Sequence, residues 1–374
     1  MSRTPRARTT VTALAVLAAA TGLGALATPA EAATVVVATS AELANAVKNA
    51  TPGTVVQVRG GTYYPTATLQ STANGTAAAP IRLEPYGSET VRIDGSKLPA
   101  GSWIFKLTAD YWTVSRLTFQ HSPDSAVVCT SCTGTVWNSI RTIDGGDSGF
   151  TLTGDDTNDN VVRDLDSSGH YDAADHGENA DGLAIKFGSG RNNLVTGARL
   201  FDNSDDGVDL WSWSTPVTIE HTWAYGNGRN RWSDPAFAGD GNGFKLGGDG
   251  EVVAHVVNNS AAWGNAGNGF TENSNRGAIA LNRTTSYANA KWGYFFATGA
   301  ARLGKNLAVG NGSGPASRGA AVVSAGNNWD SGIATPPFLS TDPASAYGAR
   351  KADGSLPATA FLTTGSTTVG STMN

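Results

Sequence analysis

The sequence predicts an all-β fold, a right-handed parallel β-helix whose first coil is covered by an N-terminal capping helix. Three observations carry this. A turn-strand phrase recurs as DSGFTL, ADGLAI, DDGVDL, GNGFKL, GNGFTE and KWGYFF, with a shared glycine at 149, 182, 207, 243, 269 and 293. The shorter steps are 24 to 26 residues, and the longer ones fit one coil plus an inserted loop. Between these phrases run others, such as NVVRDLDSS, PVTIEHTWAYGN and AIALNRTTSYAN, that alternate apolar with polar residues and end on Asn or Ser. Finally, only 15% of residues are charged while 46 are glycine, a balance that favours many short strands joined by turns.

Each repeat supplies two or three strands that cannot bury their apolar sides alone, so stacking the repeats yields one continuous core. A propeller needs four strands and about 40 or more residues per blade, and leucine-rich repeats show a leucine ladder; neither pattern is present. At the start, Thr39-Ser40-Ala41-Glu42 reads as a capping box before the amphipathic stretch AELANAVKNA, and TVVQVRGGTYY follows as a first strand and turn. Beyond about Gly314 the periodicity fades into coil rich in Ser, Gly and Pro. The expected organisation is a signal peptide over 1–32, a β-helix over 33–313, and a tail over 314–374 packed along the solenoid.

Export is read from the first residues. Arg3, Arg6 and Arg8 precede an apolar run from Val11 to Ala27, and the small-residue site Ala30-Glu31-Ala32 follows, the order of a cleaved signal peptide. The run, about 17 residues long and rich in small side chains, lies at the short edge for a membrane span. Removing 1–32 changes the formal net charge from −5 to −7, which argues against a nucleic-acid partner. In an exported chain the only two cysteines, Cys129 and Cys132, are expected to form a local disulfide.

Counting from the shared glycine locates the chemistry. The residue after it points inward, the next outward and the next inward, so Val208 and Leu210, Leu183 and Ile185, and Phe244 and Leu246 belong to the core, whereas Asp209 and Lys245 share the outward position. One residue before the glycine aligns Asp181, Asp206 and Asn242; two before gives Asp205. Parallel coils stack at about 4.8 Å, which places Asp181 and Asp206 nearly on top of one another with Asp205 and Asp209 flanking them. Carboxylates that close repel unless a cation neutralises them. An all-oxygen cluster without His or Cys suits Ca²⁺ better than Zn²⁺. Asp-Gly is also ordinary turn chemistry. However, Asp209 lies inside a strand, Asp181 aligns one coil earlier, and Lys245 occupies the Asp209 position one coil later. Asp155, Asp156 and Asp159 lack such support and are read as turns.

At these residues the chain resembles the family 9 polysaccharide lyases, calcium-dependent pectate lyases built on a right-handed β-helix. The phrases NADGLAIKFGSG, DNSDDGVDLW and GNGFKLGG carry the resemblance, which runs from about Val35 to Phe361. It implies that Asp181, Asp205, Asp206 and Asp209 are the calcium ligands and that Lys245 is the catalytic base. The substrate it implies is polygalacturonate, an acidic plant-cell-wall polysaccharide, cleaved by β-elimination in the extracellular space by a monomer. Where the family phrase after the lysine strand is rich in Asn and Gln, this chain reads GFTENSNRG, so its subsite contacts are expected to differ.

Among the remaining residues, Lys186, Arg276 and Arg229 are candidates to grip a sugar carboxylate, and Trp211 and Trp213 to stack on a sugar face. His170 and His176 are read as loop residues. Two other classes stay open: a β-helix glycoside hydrolase using the aspartates as acid and base, and a non-catalytic carbohydrate-binding solenoid stabilised by calcium. Neither gives Lys245 a role.

Overall fold

The computed structural model describes residues 33–365 and 368–374; the expected signal peptide lies outside them. The one described α-helix, Ser40–Lys48, starts where the capping box predicts: Glu42 N–H donates to the Thr39 hydroxyl, and the Glu42 carboxylate accepts from the Thr39 N–H. Its apolar face, Leu43, Ala46 and Val47, is buried over the first coil.

The strands form three sheets, one of twelve strands and two of ten among the described residues, and every strand-strand pair between them is parallel. The chain visits the sheets in turn, as in Ile81–Pro85 (first), Val91–Asp94 (second) and Phe105–Leu107 (third), before returning to the first with Trp112–Ser115. No described helix is long and apolar enough to cross a membrane.

The repeat read in the sequence is the register of the third sheet. Phe150, Leu183, Val208, Phe244, Phe270 and Tyr294, each the residue after a shared glycine, are Cα partners from coil to coil. All point inward and are fully buried, with Phe244, Phe270 and Tyr294 stacked at centroid distances of 4.7 and 5.1 Å. The glycine recurs because the coils approach too closely there for a side chain. A Cβ on Gly207 would stand 2.6 Å from the Gly243 carbonyl oxygen, and one on Gly243 the same distance from that of Gly269.

The recurrent Asn at the end of the second-sheet phrase has an equally direct cause. Asn203, Asn227, Asn265, Asn289 and Asn311 form a ladder in which each Nδ2 donates to the Oδ1 of the next, at 2.8 to 3.0 Å. An amide is both donor and acceptor, so identical side chains can chain head to tail, which carboxylates cannot do. His170 extends this ladder. Its N–H donates to Asn203 Oδ1, its Nδ1 accepts from the Gly145 N–H, and burial pushes its pKa down to about 3. Both histidines lie in the loop after Asp166–Ser168, as expected, but in different settings: His170 is buried, neutral and structural, whereas His176 is exposed and pairs with Asp234.

Two more features bear on the sequence expectations. Cys129 and Cys132 are disulfide-bonded. Parallel pairing does not stop at 313: Gly314–Arg318 pairs with Trp292–Phe296, and Val323–Ala325 pairs with Arg302–Gly304. These last strands are poorly buried, so their sequence lacks the apolar alternation that marks the others. The following segment lies on the outer face of the second sheet, where Leu356, Phe361 and Leu362 pack with Trp223, Tyr225 and Trp263.

Candidate active site

The turn that follows the Asn ladder leads into the third sheet and carries the acidic residues. Asn203 fixes its start, Gly207 its close approach to the next coil, and Asp205 and Asp206 lie between. Asp181 is presented by the same turn one coil earlier, and its Oδ1 accepts from the Asp206 N–H. Asp209 and Lys245 are Cα partners on adjoining strands.

The four aspartates are at most 2% exposed. Two lysines face them. Lys186 Nζ lies 2.7 Å from Asp181 Oδ2 and 2.8 Å from Asp209 Oδ2. Lys245 Nζ lies 3.2 Å from Asp206 Oδ2 and 3.5 Å from both Asp209 Oδ2 and Asp240 Oδ2. Trp211 closes one side, its ring centroid 5.3 Å from Lys245 Nζ.

Burial and mutual repulsion dominate the electrostatics. Burial pushes Asp181 up to about 8, against the pull of Lys186, and pushes Asp205 up to about 7 with help from Asp181. Asp206 rises well above the carboxylate range, chiefly through burial and then Asp205. Burial by itself would lower Lys245, but Asp206, Asp209, Asp205 and Asp181 outweigh it and hold the amine charged above its ordinary value. Lys186 is raised likewise, by Asp181 and Asp209 against burial. Carboxylates and ammonium groups here are held in mutual dependence.

Hydrogen bonds satisfy most of the carboxylate oxygens. Asp205 Oδ1 accepts from the Asp240 N–H and Oδ2 from the Asn179 N–H, while Asp206 Oδ1 accepts from Asn242 N–H and Nδ2. Asp206 Oδ2 is the exception, buried with no hydrogen bond of good geometry and facing Lys245 Nζ at 3.2 Å. Oxygens of Asp181, Asp206 and Asp209 lie within 4.8 Å of one another, and so do those of Asp205, Asp206 and Asp240. A donor set made only of hard oxygens fits a hard divalent cation.

The structure thus brings together Asp181, Asp205, Asp206, Asp209, Lys245 and Trp211. Lys186 joins them too, paired with two aspartates rather than standing free on the surface, 9% exposed against 6% for Lys245. Trp213 is fully buried in the core and offers no stacking face. Arg229 is not at the cluster; it donates to the Gly264 carbonyl outside the second sheet. Arg276 is exposed on the turn beyond Phe270–Thr271, reaching towards the Gly250 carbonyl rather than the aspartates. Glu272, in the divergent GFTENSNRG phrase, is buried and accepts from the Thr298 and Gly299 N–H groups, so it fixes a turn. Asp240 was missed in the sequence because it ends a long inserted loop, three residues before the shared glycine, where the repeat has no acidic column.

Comparison with known proteins agrees with this architecture. Residues 25–306 match the Pel9A-like, right-handed β-helix family model. Pectate lyase PEL9 of Emericella nidulans is 39% identical, over 85% of this chain and 85% of its own. Pectate lyase L of Dickeya chrysanthemi is 31% identical, over 85% of this chain and 77% of its own. The crystal structure of pectate lyase Pel9A superposes with a TM-score of 0.76 at 29% identity, covering 85% of this chain and 82% of that one. With its three parallel sheets, glycine register and aspartate-lysine cluster in place, the chain belongs to polysaccharide lyase family 9, the Pel9A-like right-handed β-helices.

Proposed function

We infer that the protein is an exported pectate lyase that cleaves polygalacturonate by calcium-assisted β-elimination, with Lys245 as the base. The observation that carries the reading is the register of Asp209 and Lys245: a carboxylate of the acidic cluster and an amine side by side on the outward face of adjoining coils. Asp181, Asp205, Asp206 and Asp209 would hold Ca²⁺, whose charge, when bound, offsets the aspartates and draws electrons from the sugar carboxylate, acidifying the proton on C5.

The chain's own part is proton transfer and positioning. Lys245 is held charged by its carboxylate neighbours, so it can act as a base only where those charges are otherwise neutralised. As a free amine it takes the C5 proton; the C–H electron pair becomes the C4–C5 double bond, and the glycosidic oxygen leaves C4 with its bonding pair and takes a proton from water. Trp211 shields the amine on one side. An acidic substrate meeting an acidic protein needs the cation for binding as well as for chemistry.

The test is ultraviolet absorbance on polygalacturonate with added calcium. Growth of the unsaturated product's absorbance supports the reading. Reducing ends without that absorbance would mean hydrolysis by the aspartates, and silence in both assays a binding solenoid.

A further inference from the structure

Outside the second sheet, away from the aspartate cluster, the fold carries a pocket of about 330 Å³, at the lower end of the ~300–1,000 Å³ of small-molecule sites. Its floor is the aromatic ladder of that sheet, Phe201 stacked on Tyr225 at 4.9 Å, and its roof is Tyr347 from the C-terminal segment, 5.2 Å from Tyr225 and half exposed. Four arginines line it, Arg141 and Arg199 with Arg229 and Arg231, against two carboxylates, Asp166 and Asp202.

The pairing leaves positive charge over. Arg231 pairs with Asp202. Arg199 binds Asp166 through two hydrogen bonds of 2.7 Å, and the same carboxylate also accepts from Arg350 at 2.7 Å. Arg141 and Arg229, both exposed, have no carboxylate within 4.0 Å among the described residues. Arg229 is instead held by the Gly264 carbonyl at 2.7 and 3.1 Å and shares Asp202 with Arg231 only at longer range. The lining thus holds four guanidinium groups against two carboxylates in a chain of net charge −5, an excess of positive charge over one aromatic floor. The frame is rigid: Arg199 Nη1 donates to the Gly348 carbonyl at 2.7 Å, tying down the segment that bears Tyr347.

We propose that this pocket is a second, calcium-independent binding site for a short stretch of polyuronate, its carboxylates taken by Arg141 and Arg229 and a sugar ring resting against Tyr347. Guanidinium groups bind carboxylates in a bidentate, charge-assisted way, and an aromatic ring supplies an apolar platform beside them. The choice of uronate rests on the pectate lyase reading above. No cation is required here, because the protein's side of the contact is already positive, unlike the aspartate cluster. Such a site keeps the enzyme on its polymer between cleavage events by raising the effective concentration of substrate at the cleft.

The experiment uses the full Lys245→Ala protein in excess chelator, titrated calorimetrically with a galacturonate tetramer. Under these conditions the acidic cleft repels a polyanion, so binding reports on the pocket. We expect saturable binding that weakens with salt, is absent for the carboxyl-reduced tetramer, and falls about tenfold or more in Arg141→Gln/Arg229→Gln, the loss expected for charge-assisted contacts. No binding in chelator, or an unchanged affinity in the double variant, overturns the proposal. Should the double variant fail to fold, Arg141→Gln and Tyr347→Ala are measured singly, and an unchanged affinity in both overturns it equally. Absorbance assays of the wild type with calcium are run alongside. Elimination without chelator-resistant binding sinks this site alone; absent elimination sinks the pectate lyase reading whatever the titration shows.

Discussion

Lys245 and Asp209 are register partners on adjoining coils, with Nζ 3.5 Å from Oδ2, and that adjacency joins a candidate base to a candidate metal ligand. The cluster is therefore one electrostatic unit, in which the state of the amine depends on what neutralises the carboxylates.

Removing the base separates binding from chemistry. Lys245→Ala is expected to fold and to bind calcium and polymer, yet to lose about 10² to 10⁴ in kcat. Steady-state absorbance kinetics check this, and retention of more than about a tenth of wild-type kcat, against the expected 10²-fold or greater loss, would remove Lys245 from the base role.

Chelation is expected to abolish elimination and added Ca²⁺ to restore it. Asp206→Ala removes the carboxylate that faces Lys245 and is common to both groups of close carboxylate oxygens; it should raise the half-activating calcium concentration by about tenfold or more, since ligand charge sets affinity in such sites. Full turnover by protein shown to be metal-free would refute both expectations.

Lys186→Met tests the pairing of that lysine. The substitution leaves Asp181 and Asp209 buried without their 2.7 and 2.8 Å partner, so in chelator the protein should lose on the order of 3 kcal/mol of stability. Calcium should restore more stability in the variant than in the wild type, because no ammonium competes for the carboxylates. A substrate-gripping lysine would instead raise KM and leave the urea midpoint in chelator unchanged.

The metal-free protein should weaken with rising pH in the neutral range. Asp181 and Asp205, raised to about 8 and about 7, keep protons in the folded chain at pH values where unfolded carboxyls have lost them. Below about pH 6.5 buried neutral His170 and His255 act the opposite way, since the unfolded chain protonates them; above it the folded state binds more protons, and stability falls as pH climbs from about 6.5 towards 8. Urea midpoints in chelator across this window should decline, and saturating calcium should flatten the profile. A midpoint that rises with pH across it in chelator would contradict the burial of these carboxyls.

Protein recovered from the medium should begin near Ala33 and have both cysteines oxidised, as the bonded pair Cys129–Cys132 requires. Intact mass and thiol titration decide this; two free thiols or an uncleaved leader would count against it.

The sequence by itself determined the coil. Gly207 and Gly243 are required by backbone approach to the next coil, and Val208 and Phe244 by burial at the following residue. Both constraints act at every turn of the solenoid, so they recur at a readable interval, and Asp181, Asp206, Asp209 and Lys245 could be placed by counting from them. Tertiary structure alone decided what through-space distance controls. Lys186 reaches one aspartate on its own coil and another on the next, Asp240 arrives from a loop with no repeat, and His170 stands in a ladder of asparagines. Arg229, separated from Arg141 by 88 residues, lines the same pocket because the coils of the second sheet stack. Charge pairs that fall outside a register column leave no period in a sequence, since they depend on where side chains end rather than where the backbone repeats.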